Sequence, residues 1–302
     1  MLSLDPAALQ QKVQQIEIRT RHLVSNLFAG EYHSVFRGRG LEFDEVRPYQ
    51  PGDDIRLLDW NVTARMPEPY IKRRVEEREL TVLLLVDASG SGDFGSTGQF
   101  KRELAAELAA VLAFAASKNH DKIGLLVFTE TVELLIPPRR GRKHVMHLVR
   151  ELLAHQPQSR GTNLDAALQT CNQLLKQRSI VFILSDFLIE PSSYRSSLIR
   201  TSSRHDVIAI EMHDPLEQTL PAVGLLHLID AESGQSIWVD TNDKTWRAEF
   251  ARRQAYVQTV KQATLRAAHV ESASIRTDQD YVGVLDRFFR QRSRLRKRNK
   301  QR

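Results

Sequence analysis

The chain has 302 residues, 41% of them hydrophobic and 26% charged, which is enough for a globular protein with a full core. Its longest apolar run is nine residues, which is too short for a bilayer-spanning helix. Its first residues lack the pattern of a secretory signal, and its single cysteine excludes internal disulfides, so we expect a cytoplasmic protein. The net charge of +6 comes from eight basic residues among 290–302, and the rest of the chain is close to neutral.

The first 79 residues combine a helical pattern with a charged segment. Apolar residues at helical spacings predict an amphipathic helix over residues 1–29, which Gly30 ends. Residues 37–79 are rich in acids and bases and contain a Pro-Gly-Asp turn sequence at 51–53, which predicts short strands and loops. We therefore expect an N-terminal helix and a charged β and loop segment over residues 1–79.

From residue 80 onward, short apolar runs alternate with helical patterns. LTVLLLVD (80–87) and SIVFILSD (179–186) are largely apolar up to a final acid, which indicates strands buried on both faces of a parallel sheet. The other predicted strands are 122–129, 132–138, 206–214, a hairpin over 224–240 and 272–277. The predicted helices are 98–118, 142–155, 164–178, 192–204, 243–269 and a last helix before the tail. Helices between strands force parallel pairing with right-handed crossovers. We expect an α/β layered fold with a mostly parallel central sheet over 80–286, with a hairpin, helix and strand added at its C-terminal side, and a basic tail over 287–302.

The polar loop VDASGSGD (86–93) lies at the carboxyl end of the first buried strand, where ligands bind in folds of this type. A hydrolase nucleophile elbow needs the pattern GxSxG, which neither Ser89 nor Ser91 fits, and no Walker phosphate loop is present. A phosphatase that uses Asp87 as nucleophile would need a second acid at position 89, where a serine hydroxyl cannot transfer the proton. A metal-dependent phosphoryl hydrolase stays an alternative, which an assay with an aryl phosphate tests.

A hard cation suits the residue types of this loop better. Magnesium prefers oxygen ligands, and Asp87, Ser89 and Ser91 alternate with residues that allow three oxygens to face one point. The same residue types are common in turns, so the triplet alone is a weak signal. Two further polar residues strengthen it, because Thr162 precedes a predicted helix and Asp186 closes another buried strand at the same edge of the sheet.

The five residues Asp87, Ser89, Ser91, Thr162 and Asp186 resemble the DxSxS…T…D pattern of the metal-ion-dependent adhesion site of von Willebrand factor A domains. The resemblance covers residues 80–215 and implies a von Willebrand factor A-like, Rossmann-like fold. It also implies that the five residues hold Mg²⁺, or Mn²⁺ in its place, directly or through water. The ion then keeps one coordination position for an acidic protein ligand.

Three further stretches are similar to the bacterial domain-of-unknown-function 58 family. They are GRGLEFDEVRPYQPGDDIRLLDWNVTARMPEPYIKRRVEERE (38–79), HDPLE (213–217) and DYVGVLDRFFRQR (280–292). Members of that family occur beside MoxR-type AAA+ ATPases, which implies an adaptor or co-chaperone that acts with such an ATPase in protein maturation or remodelling. We expect a non-enzymatic binding protein with no transmembrane segment.

The basic tail supports a third hypothesis. Eight basic residues within 290–302 form a segment that can contact nucleic acid, anionic lipid or an acidic protein surface. No interleaved aromatic residues are available for base stacking. A tail-driven nucleic-acid or membrane-surface binder is therefore the weaker alternative, and Mg²⁺ chelation should leave its binding unchanged.

Overall fold

A computed structural model describes residues 15, 16, 18, 45–73 and 79–300. Gln15, Ile16 and Ile18 are helical, and the rest of the helix predicted over 1–29 lies outside the described residues. The strands are β1 Glu45–Pro48, β2 Tyr70–Arg73, β3 Thr81–Asp87, β4 Lys122–Phe128, β5 Val132–Arg139, β6 Ile180–Ser185, β7 Asp206–His213, β8 Leu225–Ile229, β9 Ser236–Asp240 and β10 Glu271–Arg276. The helices are α1 Trp60–Thr63, α2 Lys101–Lys118, α3 Arg142–Ala154, α4 Leu164–Leu174, α5 Pro191–Arg204, α6 Pro215–Gln218, α7 Lys244–Ala267 and α8 Tyr281–Lys300. None of the helices in these ranges combines the length and apolar character needed to span a bilayer.

Six strands form the main sheet in the order β10-β7-β6-β3-β4-β5, and every neighbouring pair is parallel except β4 with β5. The first of these strands along the chain, β3, lies in the interior of the sheet beside β6. Strand order reverses between these two strands, and a crevice for ligands opens at such a point, at the carboxyl ends of the strands. The predicted α/β layered fold with a mostly parallel central sheet is confirmed.

Helices cover both faces of the sheet, which explains why the central strands are apolar throughout. On one face, Val82, Leu84 and Val86 of β3 pack with buried residues of α2, α3 and α8. On the other face, Leu83 and Leu85 pack with buried residues of α4, α5 and α7. A strand buried on both sides needs apolar side chains at consecutive positions, not at alternate ones.

The C-terminal elements belong to the main domain more closely than the sequence indicated. β10 is the edge strand of the main sheet, parallel to β7. Most of the segment predicted as a basic tail over 287–302 is helical, because α8 continues to Lys300. Phe289 is buried in the core, and the buried guanidinium of Arg292 pairs with Asp206 and Glu271. Side chains of the charged run are therefore used in packing, which a count of charges does not reveal.

The charged N-terminal segment forms the predicted short strands and loops. β1 and β2 pair antiparallel, and the guanidinium of Arg47 makes two hydrogen bonds of 2.8 and 2.7 Å to the carboxylate of Asp53. Asp59 accepts hydrogen bonds from the first N–H groups of α1 and so caps this short helix. Trp60, the next residue, is 70% exposed. The charged residues of this segment therefore stabilise its own turns, and the tryptophan stays on the surface.

Asp214, in the HDPLE stretch, ties three parts of the chain together. The residue is fully buried, and its carboxylate accepts hydrogen bonds from the N–H and hydroxyl of Ser96, from the hydroxyl of Thr277 and from the N–H of Leu216. Burial raises the pKa of Asp214, but these hydrogen bonds outweigh burial and hold the pKa below its ordinary value. The carboxylate therefore connects the loop before α2 with the ends of β7 and β10.

We predict that Asp214→Ala lowers the free energy of unfolding by about 3 kcal/mol at neutral pH, because several donors lose a charged acceptor. The lowered pKa contributes stability above the unfolded value of about 4, and this stability is lost as the pH falls through the folded value. Urea unfolding at neutral pH and below about pH 4 measures both effects. The control Asp93→Ala removes an exposed ion pair with Arg102 and should change stability by less than about 1 kcal/mol. Equal losses in the two variants would contradict the role of Asp214.

Candidate metal centre

Three of the predicted ligands lie in the turn that follows β3. Asp87 ends the strand, and Oδ1 of its carboxylate accepts a hydrogen bond from the N–H of Ser89 at 3.0 Å. A 3-10 turn over Gly90–Asp93 then brings the hydroxyls of Ser89 and Ser91 to 3.1 Å from each other. Asp87 and Ser89 are 8% and 1% exposed. The three side chains line one cleft.

Asp186 enters the same cleft from the neighbouring strand. β6 ends at Ser185 and pairs in parallel with β3, so Asp87 and Asp186 leave adjacent strands at the same edge. The Ser185 hydroxyl donates to Oδ2 of Asp87 at 2.7 Å. Phe187, the residue after Asp186, is buried and has a left-handed backbone conformation with φ of +54°. It turns the chain immediately after Asp186. The topology of the sheet therefore places two buried carboxylates in one cleft.

A buried lysine that the sequence did not single out lies against this pair. Lys101 is the first residue of α2 and is 2% exposed. Its ammonium donates to Oδ2 of Asp186 at 2.6 Å and to Oε1 of Glu217 at 2.5 Å. Burial lowers the pKa of Lys101, but the charges of Asp186 and Glu217 outweigh burial and hold the pKa above its ordinary value. For Asp186, burial raises the pKa, and the Lys101 ammonium outweighs this and holds it below its ordinary value.

Asp87 has no such cation. Burial, together with the negative charge of Asp186, raises the pKa of Asp87 to about 6, although hydrogen bonds from Ser185 and Ser89 act in the opposite direction. Within the described residues, Asp87 has no ion pair that would compensate its charge. The cleft therefore contains one neutralised carboxylate and one carboxylate whose ionised form needs a positive charge.

Thr162 lies beside the cleft and does not line it. The carbonyl of Arg160 accepts a hydrogen bond from the N–H of Gly90 at 2.8 Å, which fixes the loop of Thr162 against the loop that carries Ser89 and Ser91. The Thr162 hydroxyl donates to Oε1 of Glu232 at 2.7 Å. The structure thus brings four of the five predicted residues into one cleft and places the fifth on the adjoining loop, with its hydroxyl bound to an acid.

The donors of the cleft suit a hard cation. Among the described residues, no cluster of three or more His, Cys, Asp or Glu side chains can hold a metal ion, so an ion bound here needs hydroxyl ligands. A carboxylate and two hydroxyls of Asp87, Ser89 and Ser91 are oxygen donors of the kind that Mg²⁺ and Mn²⁺ accept, whereas zinc sites prefer nitrogen and sulfur. The uncompensated charge of Asp87 is consistent with such an ion.

Sequence reasoning missed four residues around the cleft, namely Lys101, Ser185, Glu217 and Glu232. Glu217 belongs to the HDPLE stretch, which the sequence analysis singled out. Nothing in the sequence, however, indicated that Glu217 lies near the loop after β3. Ser185 precedes the acid that closes β6. A lysine at the start of a helix and a glutamate in a hairpin turn are ordinary surface residues in sequence, and only their position in space separates them from others.

Residues 45–260 match the model of the family described as protein of unknown function DUF58. The uncharacterized protein Rv1480 of Mycobacterium tuberculosis is 34% identical over 295 residues, which cover 96% of this chain and 92% of that protein. The uncharacterized protein YeaD of Bacillus subtilis is 30% identical over 111 residues, which cover 36% of this chain and 26% of that protein.

Solved structures also match over most of the chain. The conserved hypothetical protein BatB from Bacteroides thetaiotaomicron matches with 14% identity and a TM-score of 0.46, covering 71% of this chain and 99% of that one. The von Willebrand factor type A structure from Catenulispora acidiphila matches with 12% identity and a TM-score of 0.40, covering 74% of this chain and 43% of that one. The fold assignment itself rests on the strand order of the main sheet.

We predict that Lys101→Met lowers the free energy of unfolding by about 3–5 kcal/mol at neutral pH, because Asp186 and Glu217 lose their shared cation. The lowered pKa of Asp186 contributes stability above the unfolded value of about 4, and this stability is lost as the pH falls through the folded value. The difference between variant and wild type should therefore shrink below about pH 4 in urea unfolding. The control is Lys118→Met at the exposed end of α2, which should cost less than about 1 kcal/mol. A loss from Lys101→Met that does not depend on pH would contradict the ion pair.

Proposed function

The chain belongs to the DUF58 family, and we propose that it is a non-enzymatic, Mg²⁺-dependent protein-binding module whose cleft takes a carboxylate of a partner protein. One observation carries the proposal. Asp87 is a buried carboxylate without a compensating cation within the described residues, and the hydroxyls of Ser89 and Ser91 lie beside it in the same cleft. The three oxygens of Asp87, Ser89 and Ser91 would hold a divalent ion, which would supply the missing positive charge.

We assign the ion's direct protein ligands to Asp87, Ser89 and Ser91. Asp186 has its two oxygens occupied by the Lys101 ammonium and the N–H of Leu188. Asp186 therefore contributes to the site indirectly, either through its hydrogen bond with the Ser91 hydroxyl or through a water molecule. Thr162, on the adjoining loop, completes the set from the other side.

Lys101 determines how strongly such a site attracts an acid. The Lys101 ammonium is shared by Asp186 and Glu217, and its hydrogen bond occupies one oxygen of Asp186. An ion whose direct ligands are one carboxylate and two neutral hydroxyls would not be neutralised by those ligands, and electrostatic attraction in a partly buried cleft is stronger than in water. A carboxylate of another protein is the natural ligand for the remaining position.

We further propose that the partner side includes a MoxR-type AAA+ ATPase, for which the protein acts as adaptor or co-chaperone. The resemblance of the 38–79, HDPLE and 280–292 stretches to a family associated with such ATPases supports this proposal. The surface of the N-terminal segment supports it too, since Trp60 and Ile55 are 70% and 65% exposed. Exposed aromatic residues of this kind are enriched at protein interfaces.

A hydrolytic function is less consistent with the cleft. The position two residues after Asp87 holds Ser89, whose hydroxyl cannot serve as general acid near neutral pH. The second acid of the cleft, Asp186, is held by Lys101 with a lowered pKa, so it keeps no proton to donate at neutral pH. We therefore propose binding without turnover.

We predict that the wild-type protein binds Mg²⁺ and Mn²⁺ in isothermal titration calorimetry and that Asp87→Asn lowers the affinity at least about tenfold, because a ligand charge is lost. Protons compete with the ion for Asp87, whose pKa is raised to about 6, so the affinity should fall as the pH is lowered through about 6. The control Asp93→Asn changes an exposed acid of the same loop and should bind as wild type does. Absence of metal binding by the wild type would refute the proposed site.

We predict that a purified MoxR-type AAA+ ATPase from the same genome binds this protein in the presence of Mg²⁺ and loses at least about tenfold in affinity to the Asp87→Asn variant. The variant is the control for the ATPase's own need for Mg²⁺, since both samples contain the same ion. Equal affinity of wild type and variant in surface plasmon resonance would show that the contact does not use the cleft. Binding that disappears when residues 294–302, beyond the buried Arg292, are removed would favour the tail hypothesis instead.

A further inference from the structure

The hairpin β8-β9 reaches over the edge of the cleft with an acid at its tip. Its two strands pair with each other and, within the described residues, with no strand of the main sheet. Glu232, in the turn between them, accepts the hydrogen bond of the Thr162 hydroxyl at 2.7 Å. The predicted metal-site threonine is thus already bound by a carboxylate of the chain itself.

The backbone of the turn lies against the loop of the proposed site. A Cβ placed on Gly90, between the two serines, would lie 2.4 Å from the carbonyl oxygen of Ala231, the residue before Glu232. A contact this close is possible because residue 90 is a glycine. The tip of the hairpin therefore touches the loop of Ser89 and Ser91 as well as Thr162.

The turn holds Glu232 in a defined position. The carboxylate of Asp230 accepts hydrogen bonds from the N–H groups of Glu232 and Ser233 at 3.1 and 2.6 Å and from the Ser233 hydroxyl at 2.7 Å. Gly234 closes the turn with φ of +72°, a conformation that glycine adopts readily. Asp230 thus fixes the backbone from which the Glu232 carboxylate points to Thr162.

The charges around Glu232 also connect it with the cleft. The carboxylate of Glu232 lies close enough to Asp186 for their negative charges to repel each other. A divalent ion held in the cleft would offset this repulsion, and the carboxylate of Glu232 would suit it as a ligand.

We propose that Glu232 is the internal ligand of the metal site, so that the hairpin occupies the coordination position that a partner carboxylate takes. This inference rests on the proposed function and adds its regulation: a partner must displace Glu232, and the free protein is held in a self-bound state. Away from its tip, the hairpin is largely open to solvent, with Leu225, Ile229 and Trp238 63–66% exposed. An element attached mainly at its base and tip can move without disturbing the core.

Two variants test the inference, and each has a matched control. Glu232→Gln keeps the size of the side chain and an oxygen for Thr162 but removes the charge; its control is Glu249→Gln, an exposed acid on α7. Gly90→Ala keeps every proposed ligand, but its Cβ displaces the hairpin tip. The control Gly92→Ala lies in the same turn, where a Cβ meets Arg102 at an ordinary 3.6 Å.

Mn²⁺ affinity by calorimetry and hydrogen exchange of the amides of residues 230–234 are measured with and without Mn²⁺. The expected result is that Mn²⁺ slows exchange in the wild type and both controls, and that Glu232→Gln and Gly90→Ala lower the affinity about tenfold and abolish this slowing. If all five proteins bind Mn²⁺ equally and their hairpins exchange equally, the internal ligand is refuted while the metal site stands. If the wild type binds no Mn²⁺, the proposed function is refuted and the internal ligand with it.

Discussion

The buried ammonium of Lys101 is the interaction on which the cleft depends. Two strands of a parallel sheet end in acids, and a sheet that brings Asp87 and Asp186 together out of water creates a repulsion that folding has to offset. Lys101 does this for Asp186 and at the same time binds Glu217, which belongs to the one-turn helix after β7. One cation thus connects the start of α2 with two carboxyl ends of the sheet. The Lys101 ammonium does not compensate the charge of Asp87, so the ionised form of Asp87 needs a further cation.

The surrounding structure fixes the positions of these charges. Asp214, one turn from Glu217, ties the loop before α2 to β7 and β10 through Ser96 and Thr277. On the other side, the carboxylate of Glu133 in β5 accepts hydrogen bonds from the N–H groups of Gln158 and Ser159 and so anchors the loop that ends at Thr162. Carboxylates with several donors hold both loops in place. The HDPLE stretch therefore has a structural role: Asp214 holds neighbouring backbone segments together, and Glu217 forms an ion pair with Lys101.

The hairpin gives the cleft an occupant from within the chain. An open metal site whose ion is not neutralised by its direct ligands would bind acidic groups with little discrimination, because one carboxylate resembles another. If Glu232 already binds the site, a partner must displace it. An acidic side chain alone is then not sufficient, and the partner needs additional contacts to bind. The exposed apolar side chains of the hairpin, such as Ile229 and Trp238, offer such additional contacts.

Local sequence patterns were enough to predict the fold class and most of the candidate site. Consecutive apolar residues in β3 and β6 indicated buried parallel strands, because this pattern is local. The acid that closes each apolar run indicated one edge of the sheet, because a parallel fold brings the carboxyl ends of its strands together. Asp87 and Asp186 followed from that rule, and Ser89 and Ser91 followed from their place in the loop after β3. Three contacts became visible only in the folded chain: Lys101 lies inside the cleft, Glu232 binds Thr162, and Arg292 is buried in ion pairs. These residues contact partners tens of residues away in the chain, and a single charged side chain carries no local sign of burial. Their roles therefore arise from packing, not from pattern.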